Sequence, residues 1–270
     1  MAILEVDGVR IAYDRHDEGA AGPGVVFLHA FPLNRMMWEP QVEDLGGVFD
    51  VVVPDMRGQG ASDVTEGAIS MERMADDVYA LVSTLEIAPA TIVGLSMGGY
   101  VALAFARKYP EALRALVLAD TRSAPDSDEA RAKRYDMIKG LAESGPASLA
   151  EAMIPKLLSE KTIEAKSALV LDVRRMIETT SPSGLAGALA GMAERPDSTD
   201  LLGDIAVPTL VLVGAVDAVT PESDARALAE AIPSARLEII ADAGHLSNLE
   251  APAEFNGHLR AFLSALPPVE

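Results

Sequence analysis

The sequence predicts an α/β fold: a mostly parallel sheet flanked by helices and interrupted by a helical insertion. Three observations carry this. Short apolar runs alternate with segments of helical periodicity, the pattern of β-α-β units. The core runs are apolar throughout, as strands buried on both faces must be. That rhythm stops between about Thr121 and Leu201 and then resumes.

Ile3 to Val6 and Val9 to Tyr13 read as a hairpin around Asp7-Gly8, a two-residue turn signal. Val25-Val26-Phe27-Leu28 is the first buried strand, and Phe49 to Val53 repeats its character before Pro54-Asp55. Met71 to Leu85 carries Met74, Val78, Leu81, Val82 and Leu85 at helical spacing. Ala90-Thr91-Ile92-Val93 reads as a strand, Gly99 to Tyr109 as a helix, and Ala115 to Ala119 as another buried strand. The insertion reads as helices punctuated by Gly145-Pro146, Ser181-Pro182-Ser183-Gly184 and Arg195-Pro196-Asp197. Strand character returns at Thr209 to Val213 and Leu237 to Ile240, and a last helix runs from about Pro252 to Leu263. The expected organisation is a core of residues 1–121 and 201–270 with a helical insertion at 122–200.

At 270 residues the chain can bury a large core without staples. It has no cysteine, which excludes disulfides and thiolate metal sites and suits a reducing compartment. The net charge of −19 argues against a nucleic-acid partner, because no basic patch could offset that field. Met1 to Gly8 has no basic region followed by an apolar stretch, so a signal peptide is not expected. No run approaches the roughly 18 apolar residues of a membrane span. The expectation is a cytoplasmic protein, monomeric or homodimeric, without a membrane or nucleic-acid partner.

Gly94-Leu95-Ser96-Met97-Gly98 reads G-x-S-x-G between a predicted strand and a predicted helix. The pentapeptide alone arises by chance in about one chain in ten of this length, so its flanks carry the weight. A sharp strand-to-helix turn strains its central residue and pushes the Ser96 hydroxyl outward at a helix N-terminus. Side chains at positions 94 and 98 would collide in such a turn, hence the glycines.

A serine hydroxyl needs a base, and the base needs an orienting acid. Of the four histidines, His29 and His245 follow core strands, where the functional loops of an open α/β sheet lie. His245 is favoured as the base, and His29 reads as a loop-bracing residue. His16 and His258 lie in the early hairpin region and on the last helix. Asp217 and Asp120 both follow strands; Asp217, one strand before His245, is favoured as the acid. Asp55 reads as a brace for the Arg57-Gly58-Gln59-Gly60 turn. The developing oxyanion needs preorganised N–H donors. Met97, immediately after the serine, supplies one, and Phe31 in His29-Ala30-Phe31-Pro32 is the expected second, since Pro32 cannot donate.

Taken together, these residues resemble the α/β-hydrolase family. The order Ser96, Asp217, His245 matches its nucleophile, acid and base. His29-Ala30-Phe31-Pro32 looks like its H-G-x-P oxyanion segment, Asp55 to Ser62 like its D-x-R-G-x-G-x-S segment, and Ala243 to Glu250 like its terminal histidine motif. The resemblance implies an eight-stranded, mostly parallel sheet, with the insertion as a helical cap over Ser96. Ala30 stands where the family usually has glycine, which puts the conformation of that loop in question. Small bacterial carboxylesterases and enol-lactonases are the most similar in appearance.

The implied activity is hydrolysis of small to medium apolar carboxylic esters through an acyl-enzyme, with no metal or organic cofactor. Enol-lactonase, perhydrolase or haloperoxidase, and C–C bond hydrolase chemistry use the same triad, and a ligand receptor on this fold is the non-enzyme alternative. Met36, Met37, Met137, Met153, Met176 and Met192 read chiefly as packing residues, with an adaptable apolar pocket as the functional reading. Arg122, Arg174 and Arg175 could receive a substrate carboxylate or simply face solvent.

Overall fold

The computed structural model describes residues 1–18 and 24–267. Strands β1 (Ala2–Val6) and β2 (Val9–His16) form the predicted antiparallel hairpin. Asp7 (φ 50°) and Gly8 (φ 77°) supply the two positive-φ positions that a tight hairpin turn demands. Strand β3 (Gly24–Leu28) is buried at every position. A 3-10 turn, Arg35–Trp38, leads into α1 (Glu39–Leu45). Then come β4 (Asp50–Pro54), α2 (Met71–Thr84), β5 (Ala90–Leu95), α3 (Met97–Lys108) and β6 (Leu113–Ala119).

After β6 the described chain is helical for four elements: α4 (Asp128–Leu157), α5 (Glu160–Ala165), α6 (Ser167–Glu178) and α7 (Pro182–Ala193). The Gly145-Pro146 signal falls inside α4. Gly145 leaves helical geometry (φ 72°, ψ −177°), and Pro146, with no N–H to satisfy, opens the second half. Both α6 and α7 pack on α4. Asp126, buried before α4, accepts from Arg134 on α4 and from Arg195 Nη1 at 2.7 Å, tying the two ends of this helical segment together. A 3-10 turn at Thr199–Asp204 leads back to β7 (Thr209–Gly214), α8 (Glu222–Ala231), β8 (Ala235–Ile240), the short α9 (Ser247–Glu250) and α10 (Pro252–Ala265).

The eight strands form one sheet in the order β1-β2-β4-β3-β5-β6-β7-β8. The first two are antiparallel; β4 through β8 run parallel with β3 among them. The chain moves from β3 to β4 on one side and then to β5 on the other. The order therefore reverses at β3, and the loops leaving β3 and β5 border the crevice where ligands bind in open α/β sheets. Among the described residues, no helix is long and apolar enough to cross a membrane.

Two local readings need correction. The helix after Ser96 starts at Met97, two residues before the predicted Gly99, because the turn itself forces glycines into the first helical turn. Gly98 is required for a reason other than a clash within the turn: a Cβ there would lie 2.1 Å from the Leu28 carbonyl oxygen on β3. Gly94 does face the turn, with a Cβ position 2.2 Å from the Gly98 carbonyl oxygen.

Candidate active site

Ser96 sits between β5 and α3 with φ 55° and ψ −111°, a strained backbone for a non-glycine residue. Its N–H donates to the Ala119 carbonyl at 2.9 Å. Its own carbonyl accepts the Thr121 hydroxyl at 2.8 Å and the Gly99 N–H at 2.9 Å. These bonds fix the backbone and leave the side chain to point away from β5.

His245 lies in the loop after β8, and its Nε2 is 2.8 Å from Ser96 Oγ. Its Nδ1 is 2.8 Å from Asp217 Oδ2. Asp217 follows β7 in a tight turn of its own making. Oδ1 accepts from the N–H groups of Val219 at 2.7 Å and Thr220 at 3.0 Å, and Oδ2 from the Thr220 hydroxyl at 2.7 Å. Burial pushes the Asp217 carboxyl upward, but the facing His245 and the Thr220 donors outweigh it and hold it below its ordinary value. A carboxylate facing Nδ1 places the ring proton on that nitrogen and leaves Nε2 as the acceptor for the hydroxyl. Ser96 is only 8% exposed and His245 1%, so the three polar side chains meet in a site largely closed to water.

Asp120, the other candidate acid, does not face the imidazole. Its carboxyl accepts the Gly214 N–H at 2.8 Å and the Ser247 hydroxyl. Burial, then the charge of Asp217, raise it well above the ordinary value. It therefore ties the turn leading to Asp217 to the loop carrying His245.

The Phe31 and Met97 N–H groups donate to no backbone carbonyl among the described residues. β3 and β5 pair directly, so the loops bearing these two donors leave the sheet side by side. Met97 is also the first residue of α3, where the helix dipole favours negative charge. Ala30 takes no positive φ, so glycine is not required there, and its N–H is taken up by Met37 Sδ at 3.2 Å. His29 braces the loop as expected. Its Nε2 accepts the Met56 N–H at 3.0 Å while Nδ1 meets the Ala30 carbonyl at 3.1 Å. Burial lowers its pKa, against the opposing charge of Asp55.

Asp55 accepts the Ala61 N–H and the Arg35 N–H, each at 2.8 Å, and so braces the turn as read from sequence. Arg57 is taken up by buried Asp77 on α2, Nε to Oδ2 at 2.8 Å. His16 ends β2 opposite Val51, at the amino end of β4, and His258 meets Glu238 at 3.6 Å; neither joins Ser96.

Sequence reasoning missed Thr220, whose only signal is its place three residues after Asp217. It also missed Ser247 and Glu250, whose roles depend on chain segments far away in sequence.

A cavity of about 570 Å³ lies between the segment Asn34 to Pro40, Leu249 and the helical segment at Lys166 to Thr179; Ser96, Asp217 and His245 are not among its lining residues. Asn34, Met36, Met176 and Leu249 line it, with Lys166 and Arg175 from the helical segment and two carboxylates, Glu39 and Asp172. Met37 and Met192 are buried packing residues, and Met137 and Met153 pack partly buried against the core. Arg174 pairs with Glu178 at 3.3 Å and Arg122 faces Asp224 at 3.7 Å. Among the described residues Arg175 has no ion-pair partner within reach.

The chain belongs to the α/β-hydrolase fold family, whose description matches residues 23–252. Its relatives narrow the comparison. A thermophilic esterase from Thermogutta terrifontis, solved with malate bound, is 42% identical with a TM-score of 0.93, over 98% of this chain and 97% of that one. A 3-oxoadipate enol-lactonase from Acinetobacter baylyi is 30% identical, over 89% of this chain and 88% of its own length. A candidate non-heme bromoperoxidase, BpoC, from Mycobacterium tuberculosis is 33% identical, over 96% of this chain and 99% of its own.

Proposed function

We propose that the protein hydrolyses carboxylic esters through an acyl-enzyme on Ser96. The observation that carries this reading is the unbroken relay of two 2.8 Å contacts, Ser96 Oγ to His245 Nε2 and His245 Nδ1 to Asp217 Oδ2. Ser96 Oγ attacks the ester carbonyl carbon while Nε2 takes the hydroxyl proton. The carbonyl π electrons move to oxygen, and the Phe31 and Met97 N–H groups receive the oxyanion. The C–O bond to the alcohol then breaks, and Nε2 returns the proton to the leaving oxygen. Water, deprotonated by the same nitrogen, attacks the acyl-enzyme and releases the acid and free Ser96. Asp217 holds the ring in its tautomer and stabilises the imidazolium. Residues 122–200 serve as a cap that shapes the acyl and alcohol pocket.

Ser96→Ala is expected to lower kcat on p-nitrophenyl esters by on the order of a million-fold with the fold retained. A serine-reactive phosphonate is expected to label the parent stoichiometrically at Ser96. Survival of most of the hydrolysis in the alanine variant ends this reading.

A second reading concerns substrate charge. Arg175, without an ion-pair partner among the described residues, lies on the wall of the cavity. Lys166 shares that wall, and so do Glu39 and Asp172; where a substrate ester or lactone bears a carboxylate, as an enol-lactone acid does, Arg175 is its proposed partner. Such substrates are expected to lose kcat/KM in Arg175→Ala, while neutral p-nitrophenyl esters do not.

A further inference from the structure

The geometry points to Glu250 as a positioning residue that fixes the His245 imidazole against the joint between α4 and α5. This inference rests on the proposed role of His245 as the base. Glu250 is 6% exposed, and its carboxylate is shared between two parts of the chain. Oε1 accepts the N–H of Gly244, the residue before His245, at 2.9 Å. Oε2 accepts both the N–H of Ser159, at 2.9 Å, and its hydroxyl, at 2.6 Å. Ser159 caps α5, taking the Thr162 N–H on the same hydroxyl at 3.2 Å.

The residue after His245 is tied to the same joint, since the Leu246 N–H donates to the Leu157 carbonyl at 3.1 Å. Lys166 adds a bond from the start of α6 to the Glu250 carbonyl at 2.6 Å. The packing here leaves no slack: a Cβ on Gly244 would lie 2.8 Å from both Glu250 Oε1 and the Ser159 nitrogen. Both chain neighbours of His245 are therefore bonded, directly or through one carboxylate, to residues 157–159. Ser96 shares none of these bonds; its backbone is held by Ala119 and Thr121 at the sheet. A shift of the joint between α4 and α5 moves Nε2 relative to Oγ. The base is held from the sheet by Asp217 and by the Asp120–Ser247 bond and from the helical segment through Glu250, whereas the nucleophile is held by the sheet alone, and Glu250 is the link that keeps the helical segment in register with both.

The test compares the full-length parent with Glu250→Ala, Glu250→Gln, Ser159→Ala and the Glu250→Ala/Ser159→Ala double variant. The readouts are the rate of Ser96 labelling by a phosphonate, kcat and KM on p-nitrophenyl butyrate, and the downfield proton resonance of His245 Nδ1–H. A misplacement of about 1 Å can cost on the order of a hundredfold. Glu250→Ala is expected to slow labelling and kcat by about 10- to 100-fold, with KM within about twofold and the Nδ1–H resonance shifted or broadened. Glu250→Gln keeps an acceptor for the Gly244 N–H and recovers part of the rate. Ser159→Ala gives a smaller loss that adds little to Glu250→Ala, because both break one link. Parent-like labelling and kcat in folded Glu250→Ala, or full additivity with Ser159→Ala, overturns the proposal. Where Glu250→Ala does not fold, Ser159→Ala decides: a several-fold slower labelling supports the link, and the parent rate overturns it. A parent that is not labelled at Ser96 instead removes the hydrolase reading on which the link depends.

Discussion

Gly98→Ala separates what the turn needs from what the surrounding sheet needs. The added methyl would sit 2.1 Å from the Leu28 carbonyl oxygen and 2.6 Å from its carbon. An ordinary carbon–oxygen contact is about 3.3 Å, so β3 and the start of α3 must part by about 1.2 Å. Neither side is a flexible chain end; Leu28 is fully buried and paired with Gly94 across β3 and β5. Overpacking of this kind costs about 1–3 kcal/mol, which lowers Tm by roughly 2–12 °C for a chain of this size. The displacement also falls between the two proposed oxyanion donors, since Met97 precedes Gly98 and Phe31 lies three residues after Leu28. Loss of one such donor costs about 100- to 1,000-fold in kcat. Gly98→Ala is therefore expected to lose kcat on p-nitrophenyl butyrate by that order, with a smaller change in KM. Gly140, in α4 with nothing within 4 Å of a Cβ, is the control; its alanine variant is expected to keep the parent's kcat and Tm or to gain slightly in Tm. Parent-like kcat and Tm in Gly98→Ala would show that the donors do not depend on this contact and refute the reasoning.

Two further outcomes follow from the buried carboxyls. The folded protein holds the Asp120 proton more tightly than the unfolded chain does, so this group's contribution weakens as pH rises from 3.8 toward its raised folded value. Asp120→Asn removes that loss and still offers an acceptor to Gly214 and a donor to Ser247. The Tm difference between this variant and the parent is expected to move in the variant's favour as pH rises from 4 to 8; a difference that does not change with pH would contradict this. Asp126→Ala strands the buried Arg195 guanidinium and is expected to cost about 3–5 kcal/mol in denaturant unfolding at neutral pH. Burial pushes the Asp126 carboxyl up, yet Arg134 and Arg195 hold it below 3.8. The contribution of the pair is thus intact above that pH and fades as pH falls through the lower folded value; a loss under 1 kcal/mol at pH 7 would refute it.

Most of the sheet was legible because its strands are continuous apolar runs bounded by turn residues, as in Val25 to Leu28 and Thr209 to Val213. α1 was not, since seven residues cover barely two turns and its place depends on Trp38 packing between Phe27 and Phe255, at 4.9 and 6.1 Å. Ser96, Asp217 and His245 were readable because each follows a strand, and parallel strands send all such loops to one edge. Choosing Asp217 over Asp120 from sequence rested on chain order. The physical difference, that Asp120 is consumed by Gly214 and Ser247, involves partners 94 and 127 residues away. In sequence Glu250 reads only as the end of a motif, because its contact with Ser159, 91 residues away, is encoded by no local spacing.

β6 and β7 are hydrogen-bonded neighbours, so the helical excursion between them departs and returns through a narrow gate. A segment inserted there can be lengthened, shortened or exchanged without disturbing the pairing of any strand. With residues 122–200 as the proposed cap, grafting there is expected to change selectivity while the proposed chemistry stays in place. The graft carries an obligation of its own: it must present hydrogen-bonding groups where Leu157, Ser159 and Lys166 now meet the histidine loop and Glu250, or the transplanted roof will leave the proposed base adrift.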